Sequence, residues 1–376
     1  MESIKEKENL KEVAGLFFKL GCIAFGGPAA HIAMMQDEVV RRRRWITDEH
    51  FLDLVGATNL IPGPNSTEMT MHCGYQRAGI KGLVVAGICF IVPAVIITAI
   101  VALLYNNYGQ LPAVQPFIYG IKPAIIALIV AMMINLGQKA LKSITLGIIG
   151  IFCMVLVFVG VNEIVVLFGA GLAGIVIYLA TNRKEMLSLV SPVVLLQVNQ
   201  EIGISNLKIF LIFLKVGAIL YGSGYVLFAF LEAELVDQGL LSRQVLIDAI
   251  AVGQFTPGPV FSSATFIGWQ MGGMPGAIAA TAGIFLPAFI FVILLNPIIP
   301  RLRKSKIMSA FLDTVNIASV AIILSVAFEM GKDVFIDWRT ILIALSGFVI
   351  TFVFKKINSA LIVAGGAVAG YLLYLL

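Results

Sequence analysis

This chain is written twice, and each copy sets helix-breaking residues inside apolar stretches. Phe18-Lys19-Leu20-Gly21, then Phe25-Gly26-Gly27-Pro28, returns 196 positions later as Leu214-Lys215-Val216-Gly217, then Tyr221-Gly222-Ser223-Gly224. Leu60-Ile61-Pro62-Gly63-Pro64-Asn65-Ser66 returns at an offset of 195 as Phe255-Thr256-Pro257-Gly258-Pro259-Val260-Phe261. Ile91-Val92-Pro93-Ala94 returns at 194 as Phe285-Leu286-Pro287-Ala288. Proline lacks the amide hydrogen a helix needs, so Pro-Gly-Pro ends one. Duplicated halves with matching broken helices are the pattern of a membrane transporter built from repeats.

The breaks lie in a chain suited to lipid. Of 376 residues, 59% are hydrophobic and 12% charged, where a soluble chain has about 25% charged. Mean hydropathy is +0.98. Uncharged stretches at 83–104, 143–160, 164–181, 276–300 and 359–376 reach the length of a bilayer span, and 340–354 is shorter. The net charge of +5 follows loop lysines and arginines, so it reads as topology and not as nucleic-acid binding. The N-terminal dozen residues mix Lys and Glu without a cleavage pattern, so no signal peptide is expected. Cys22, Cys73, Cys89 and Cys153 have no paired spacing, and His31, His50 and His72 no ligand spacing. No disulfide framework, metal or cofactor is expected.

The predicted fold is an all-α polytopic membrane protein with two homologous repeats, 1–184 and 206–376, joined by a linker at 185–205. Each repeat reads as two broken segments followed by four spans. In the first these are 10–40 and 51–74, then 83–104, 117–138, 143–160 and 164–181; in the second, 207–234 and 245–271, then 276–300, 311–330, 340–354 and 359–376. Arg41 to Arg44, Arg77, Lys81, Lys139, Lys142, Arg183 and Lys184 fit one cytoplasmic face. In the second half the basic residues (Arg301, Arg303, Lys304, Lys306, Lys355, Lys356) are shifted by one crossing, as an inverted repeat predicts. Inversion also requires an extra crossing from the linker or a broken segment.

The breaks carry the chemistry. Freed backbone groups cost several kcal/mol in lipid unless protein or water satisfies them, so they should face the interior. Each new half-helix offers unpaired N–H groups that favour an anion. Asn65, Ser66 and Thr67 follow Pro64; Ser262 and Ser263 follow Pro259; His31 and Tyr225 follow the two glycine-rich breaks. A kink or tight helix crossing is the competing explanation. Lys19 and Lys215 each interrupt an apolar run, at about 2.5–3.5 kcal/mol for a membrane ammonium. They are read as counter-charge for an anion, with snorkelling to the interface as the alternative. Glu68 lies one turn past the first break; its repeat equivalent is Ser263. It is a proton relay, a lysine partner or a dipole-stabilised first-turn acid. Asn59 and Gln254 precede the two Pro-Gly-Pro breaks, to bind an oxyanion or cap freed carbonyls. Gly169-Ala170-Gly171-Leu172-Ala173-Gly174 matches a dinucleotide fingerprint but lies in an apolar span, so it reads as a packing face. Gly366-Ala367-Val368-Ala369-Gly370 could join helices within one chain or in a homodimer.

Phe18-Lys19-Leu20-Gly21 with Phe25-Gly26-Gly27-Pro28, Trp45, Leu60-Ile61-Pro62-Gly63-Pro64-Asn65, Gly74-Tyr75 and Gln254-Phe255-Thr256-Pro257-Gly258-Pro259 together resemble the chromate ion transporter family, over nearly the whole chain. The resemblance implies an inner-membrane protein that exports chromate, driven by proton gradient or membrane potential, with sulfate as competitor. It puts the functional weight on Lys19, Gly26, Gly27, Pro28, Pro62, Gly63, Pro64 and Asn65. Gly222-Ser223-Gly224 lacks the proline of the first copy, so the two sites need not be equivalent. A passive anion channel shares the same site without coupling. A membrane enzyme acting on lipid phosphate is a third reading, weakened by the lack of a general base or metal cluster.

Overall fold

A computed structural model describes residues 2–25, 27–109, 111–181, 205–221, 224–295, 305–354 and 357–374. Among these the regular structure is helical. The first repeat holds α1 (Glu2–Ile23), α2 (Gly27–Gln36), α3 (Asp48–Thr58), α4 (Asn65–Tyr108), α5 (Gln115–Ala140), α6 (Ile144–Phe158) and α7 (Glu163–Thr181). The second holds α8 (Asn206–Ile219), α9 (Val226–Leu231), α10 (Arg243–Phe255), α11 (Ser263–Leu295), α12 (Lys306–Val334), α13 (Trp338–Val353) and α14 (Ser359–Tyr374). A π-helical turn follows α2 (Asp37–Arg42) and another follows α9 (Glu232–Val236). A 3-10 turn, Val260–Ser262, precedes α11. Most of the expected linker lies outside the described residues.

Local sequence explains where helices begin. Thr47, Ser143, Ser205, Ser242, Ser305 and Asp337 each accept a backbone N–H at a helix start. Pro64 precedes α4 and makes no side-chain cap. The first amides of α4 are therefore left without an internal acceptor.

The chain departs from the expected segmentation at one place in each repeat. The predicted segments 51–74 and 83–104 are not joined by a loop. α4 reverses at Ala78 (φ −145°, ψ 27°) and Gly79 (φ 59°, ψ −150°). α11 reverses in the same way at Gly272 (φ −149°, ψ 22°) and Gly273 (φ 61°, ψ −151°). A positive φ with such a ψ is essentially open to glycine only. A Cβ on Gly74 would collide with the Gly82 carbonyl, and one on Gly268 with that of Gly276. Residues eight apart on a straight helix are about 12 Å apart, so each pair marks a tight hairpin.

The two repeats interlock. α4 packs on α11; α13 and α14 pack on α5, and α6 and α7 pack on α12. Gly366 and Gly370 lie against Gly120 of α5, and the equivalent Gly174 lies against Thr314 of α12. The glycine pattern of α14 therefore joins helices within the chain, and Gly171 and Gly174 form a packing face. Lys142 Nζ reaches Asp313 Oδ1 (2.6 Å), and Tyr119 donates to Asp337 Oδ1 (2.6 Å). The end of α5 thus meets the start of α12 and vice versa, so these equivalent helices run antiparallel. Asn65–Tyr108, Gln115–Ala140, Glu163–Thr181, Val260–Leu295 and Lys306–Val334 are long and apolar enough to cross a membrane.

Because backbone blocks the space at both hairpins, Gly74→Val and Gly268→Val should each abolish the monodisperse peak in detergent size-exclusion chromatography. Overpacking costs about 1–3 kcal/mol even where side chains can yield. Gly15→Ala meets nothing within 4 Å and should leave the elution profile and melting temperature unchanged.

Candidate functional site

The breaks find their partners in each other. The Gly63 N–H donates to the Leu220 carbonyl (2.7 Å), and the Gly258 N–H to the Ala24 carbonyl (2.8 Å). Leu220 and Ala24 immediately precede the glycine-rich breaks, so each Pro-Gly-Pro turn is tied to the other repeat's first break. Gly63 (φ 136°) and Gly258 (φ 88°) have backbone angles that side chains rarely allow. A Cβ on Gly258 would press on Ala94, and one on Gly63 would strike Glu68 and touch Ala288, the repeat equivalent of Ala94. Thr98 donates to Ser262 Oγ (3.2 Å) across the same junction.

These ties gather all four breaks around one cavity of about 710 Å³. Gly27, Pro28, Asn59, Pro64, Asn65 and Ser66 line it from the first repeat, and Gly224, Tyr225, Pro259 and Phe261 from the second. Faces of α5 and α12 complete the wall, with Asn135, Lys139 and Lys142 on or just past one and Ser309, Asp313 and Asn316 on the other. Asn65 Nδ2 donates to Asn59 Oδ1 (2.9 Å), while Asn59 Nδ2 donates to the Val55 carbonyl (3.1 Å). Asn59 thereby caps the end of α3 and holds the start of α4. His31 is buried, lines the cavity and donates to the Ala24 carbonyl (3.0 Å). Its Nδ1 has no partner among the described residues.

Other expected residues stand behind this lining. Pro62, Gly63, Gln254, Pro257, Gly258 and Ser262 support the breaks without facing the cavity. Gln254 Oε1 accepts from the Tyr225 hydroxyl (3.3 Å), which also touches Met132 Sδ. Gly26, Gly222 and Ser223 lie outside the described residues. Glu68 is fully buried beside Gly63, and among the described residues neither carboxyl oxygen has a hydrogen-bond partner.

The lysines do not converge on the cavity as expected. Lys19 Nζ is paired with Glu38 Oε1 (3.1 Å), and Lys215 Nζ with Glu234 Oε1 (2.7 Å). Each glutamate lies nineteen residues downstream on a π-helical turn, and neither lysine lines the cavity. The lysine side chains are 52% and 41% exposed, but the glutamate side chains only 10% and 8%. Removing Lys215 therefore strands Glu234, which costs more than the pair itself contributes, whereas Glu38 keeps Arg43 (3.3 Å) and Arg42 (3.7 Å) when Lys19 is removed. Glu38 and Glu234 share the 196 offset of the lysines, a signal for the pairing that was present but unread. The polar stripes 135/139/142 and 309/313/316 were also missed. Their shared i, i+4, i+7 spacing marks one helix face, but Lys139 and Lys142 read as loop charges.

A family model described as chromate transporter matches this chain at 11–175 and again at 207–371. The chromate transport protein of Cupriavidus metallidurans is 29% identical, over 97% of this chain and 93% of its own length. A probable chromate transport protein of Synechococcus elongatus is 27% identical over 97% and 96%, and a chromate transport protein of Pseudomonas aeruginosa 26% over 99% and 94%. No solved structure matches the chain. With one family match in each repeat and apolar helices long enough to span a bilayer, the chain is a multi-pass membrane transporter that belongs to the chromate transporter family.

Proposed function

We propose that this protein is a secondary transporter in the plasma membrane that exports chromate, with the cavity as its substrate path and the breaks as its binding point. The observation that carries this reading is the convergence of all four breaks on one cavity. The orphan amides of Asn65 and Ser66 open into it at the positive end of a helix. The side chains of Asn65 and Ser66 add donors beside them. Lys139 and Lys142 supply positive charge nearer the basic cytoplasmic face. Sulfate, a tetrahedral dianion of similar shape, would compete.

Glu68 is the proton carrier in this account. An ionised carboxylate without a partner in a dry interior costs several kcal/mol. A buried acid whose oxygens have no hydrogen-bond partner among the described residues is therefore suited to moving as a neutral group and exchanging its proton when the surroundings open. The antiparallel α5 and α12 and the reciprocal ties between repeats favour an inverted repeat, with one half rocking against the other.

Uptake of radiolabelled chromate into proteoliposomes tests the reading. Flux should rise with an imposed pH gradient and fall with added sulfate. Glu68→Gln should lose at least tenfold of the gradient response while keeping chromate–chromate exchange. Flux indifferent to the gradient would identify a channel, and no flux of either anion would reject the substrate.

Lys139→Ala with Lys142→Ala should raise KM for chromate about threefold to tenfold, or ~0.6–1.4 kcal/mol, with a smaller effect at high salt. Lys215→Ala should instead lower the yield of folded protein, and Lys19→Ala should lower it less because Glu38 keeps Arg43, both leaving KM within twofold. The opposite assignment of these effects would return the lysine pair to the substrate.

A further inference from the structure

The open cavity has a shut counterpart. A second cleft of about 10 Å³ is lined by Ile129, Tyr225, Ile250, Val326 and Met330, among others. The repeat offset of 194 holds from Pro93 and Pro287 through the ends of α5 and α12, where Leu141 and Phe335 are equivalent C-caps and Ser143 and Asp337 equivalent N-caps. By that offset Val326 is the counterpart of Met132, Met330 of Leu136, and Ile129 of Ile323; Met132, Leu136 and Ile323 line the open cavity, and Ile323, like Tyr225, lines both spaces. On its α5 and α12 walls the cleft therefore matches the equivalent part of the open cavity. Its volume accommodates about one water molecule, too little for a tetrahedral oxyanion.

Lys122 lies next to this side of α5. Its counterpart is Asn316, which lines the open cavity. Lys122 instead reaches Asp248 Oδ1 (3.5 Å), and Tyr105 donates to Asp248 Oδ2 (2.6 Å). Lys122 is 17% exposed and Asp248 6%. The cluster ties α5 and α4 of the first repeat to α10 of the second. A buried pair of this kind is lost at a high cost when one partner is removed, yet its polar bonds exchange as a unit when helices move apart.

We infer that the shut cleft is the far half of the transport path, and that Lys122–Asp248–Tyr105 is the latch that closes it. When the repeats exchange conformations, the cleft opens, the latch parts, and Lys122 faces the passing dianion from the position equivalent to that of Asn316 on the open side. Lys122 is thus a substrate-contacting cation of the alternate state. This rests on the transporter reading but not on the identity of the anion.

Single cysteines in a background lacking Cys22, Cys73, Cys89 and Cys153 provide the test, read with a membrane-impermeant maleimide added to either face of sealed vesicles. In the otherwise unchanged protein, Ser309→Cys should label from the cytoplasmic face and Val326→Cys should stay unlabelled. Asp248→Asn or Lys122→Gln should raise Val326→Cys labelling at least tenfold, from the opposite face, and lower that of Ser309→Cys. The exchange Lys122→Asp with Asp248→Lys should restore the original pattern, which separates a latch from a folding defect. Labelling of Val326→Cys from the same face as Ser309→Cys, or none in either latch variant that elutes as folded protein, would overturn the proposal. An error in the substrate would abolish chromate flux but leave this labelling pattern intact.

Discussion

Two backbone hydrogen bonds, Gly63 to Leu220 and Gly258 to Ala24, hold the centre of this protein together. Each satisfies a carbonyl freed where a helix stops in lipid, and each draws its partner from the other repeat. A free carbonyl or amide at that depth costs several kcal/mol, and the central amide of each Pro-Gly-Pro turn finds its acceptor in the other repeat. The need for reciprocal satisfaction explains why the interruptions occur in matched pairs, and why glycine stands at the centre of both Pro-Gly-Pro turns.

The cavity is a consequence of that arrangement. Chain ends that bond across the interface leave the first amides of the following half-helices pointing into the space between repeats. Polar residues on α5 and α12 then extend the space towards one face. The same symmetry that builds the cavity also builds its closed equivalent. The two differ because Asn316 stands on one side and Lys122, bonded to Asp248, stands on the other. Departures from repeat symmetry, such as Glu68 opposite Ser263 and Lys122 opposite Asn316, are where direction and coupling can enter a duplicated fold.

Much of this was legible in the sequence. The repeats, their breaks, the apolar spans and the packing glycines of α7 and α14 follow from periodicity and from what proline and glycine do to a helix. Eight of the residues expected at the site, from Gly27 to Pro259, do line the cavity. The pairing of Lys19 with Glu38 was harder to read, because a buried ammonium signals a need for a partner without saying whether that partner is ligand or protein. Only the shared offset of Glu38 and Glu234 held that information. The reversals at Gly79 and Gly273 were hidden because a backbone angle is not a composition signal: a hairpin without a loop looks like two spans with a short gap. The stripe through Asn135, Lys139 and Lys142 was obscured because charge near a helix end is read first as topology.

The central claim is that an oxyanion binds where the four breaks meet. Chromium is its own anomalous scatterer, so an experimental structure with bound chromate, phased near the chromium edge, locates the anion directly. A chromium peak about 4 Å from the Asn65 and Ser66 amide nitrogens, which places chromate oxygens within hydrogen-bond distance of them, facing Tyr225, is the predicted result. A peak beside Lys19 or Lys215, or none in the cavity at saturating chromate, would contradict it.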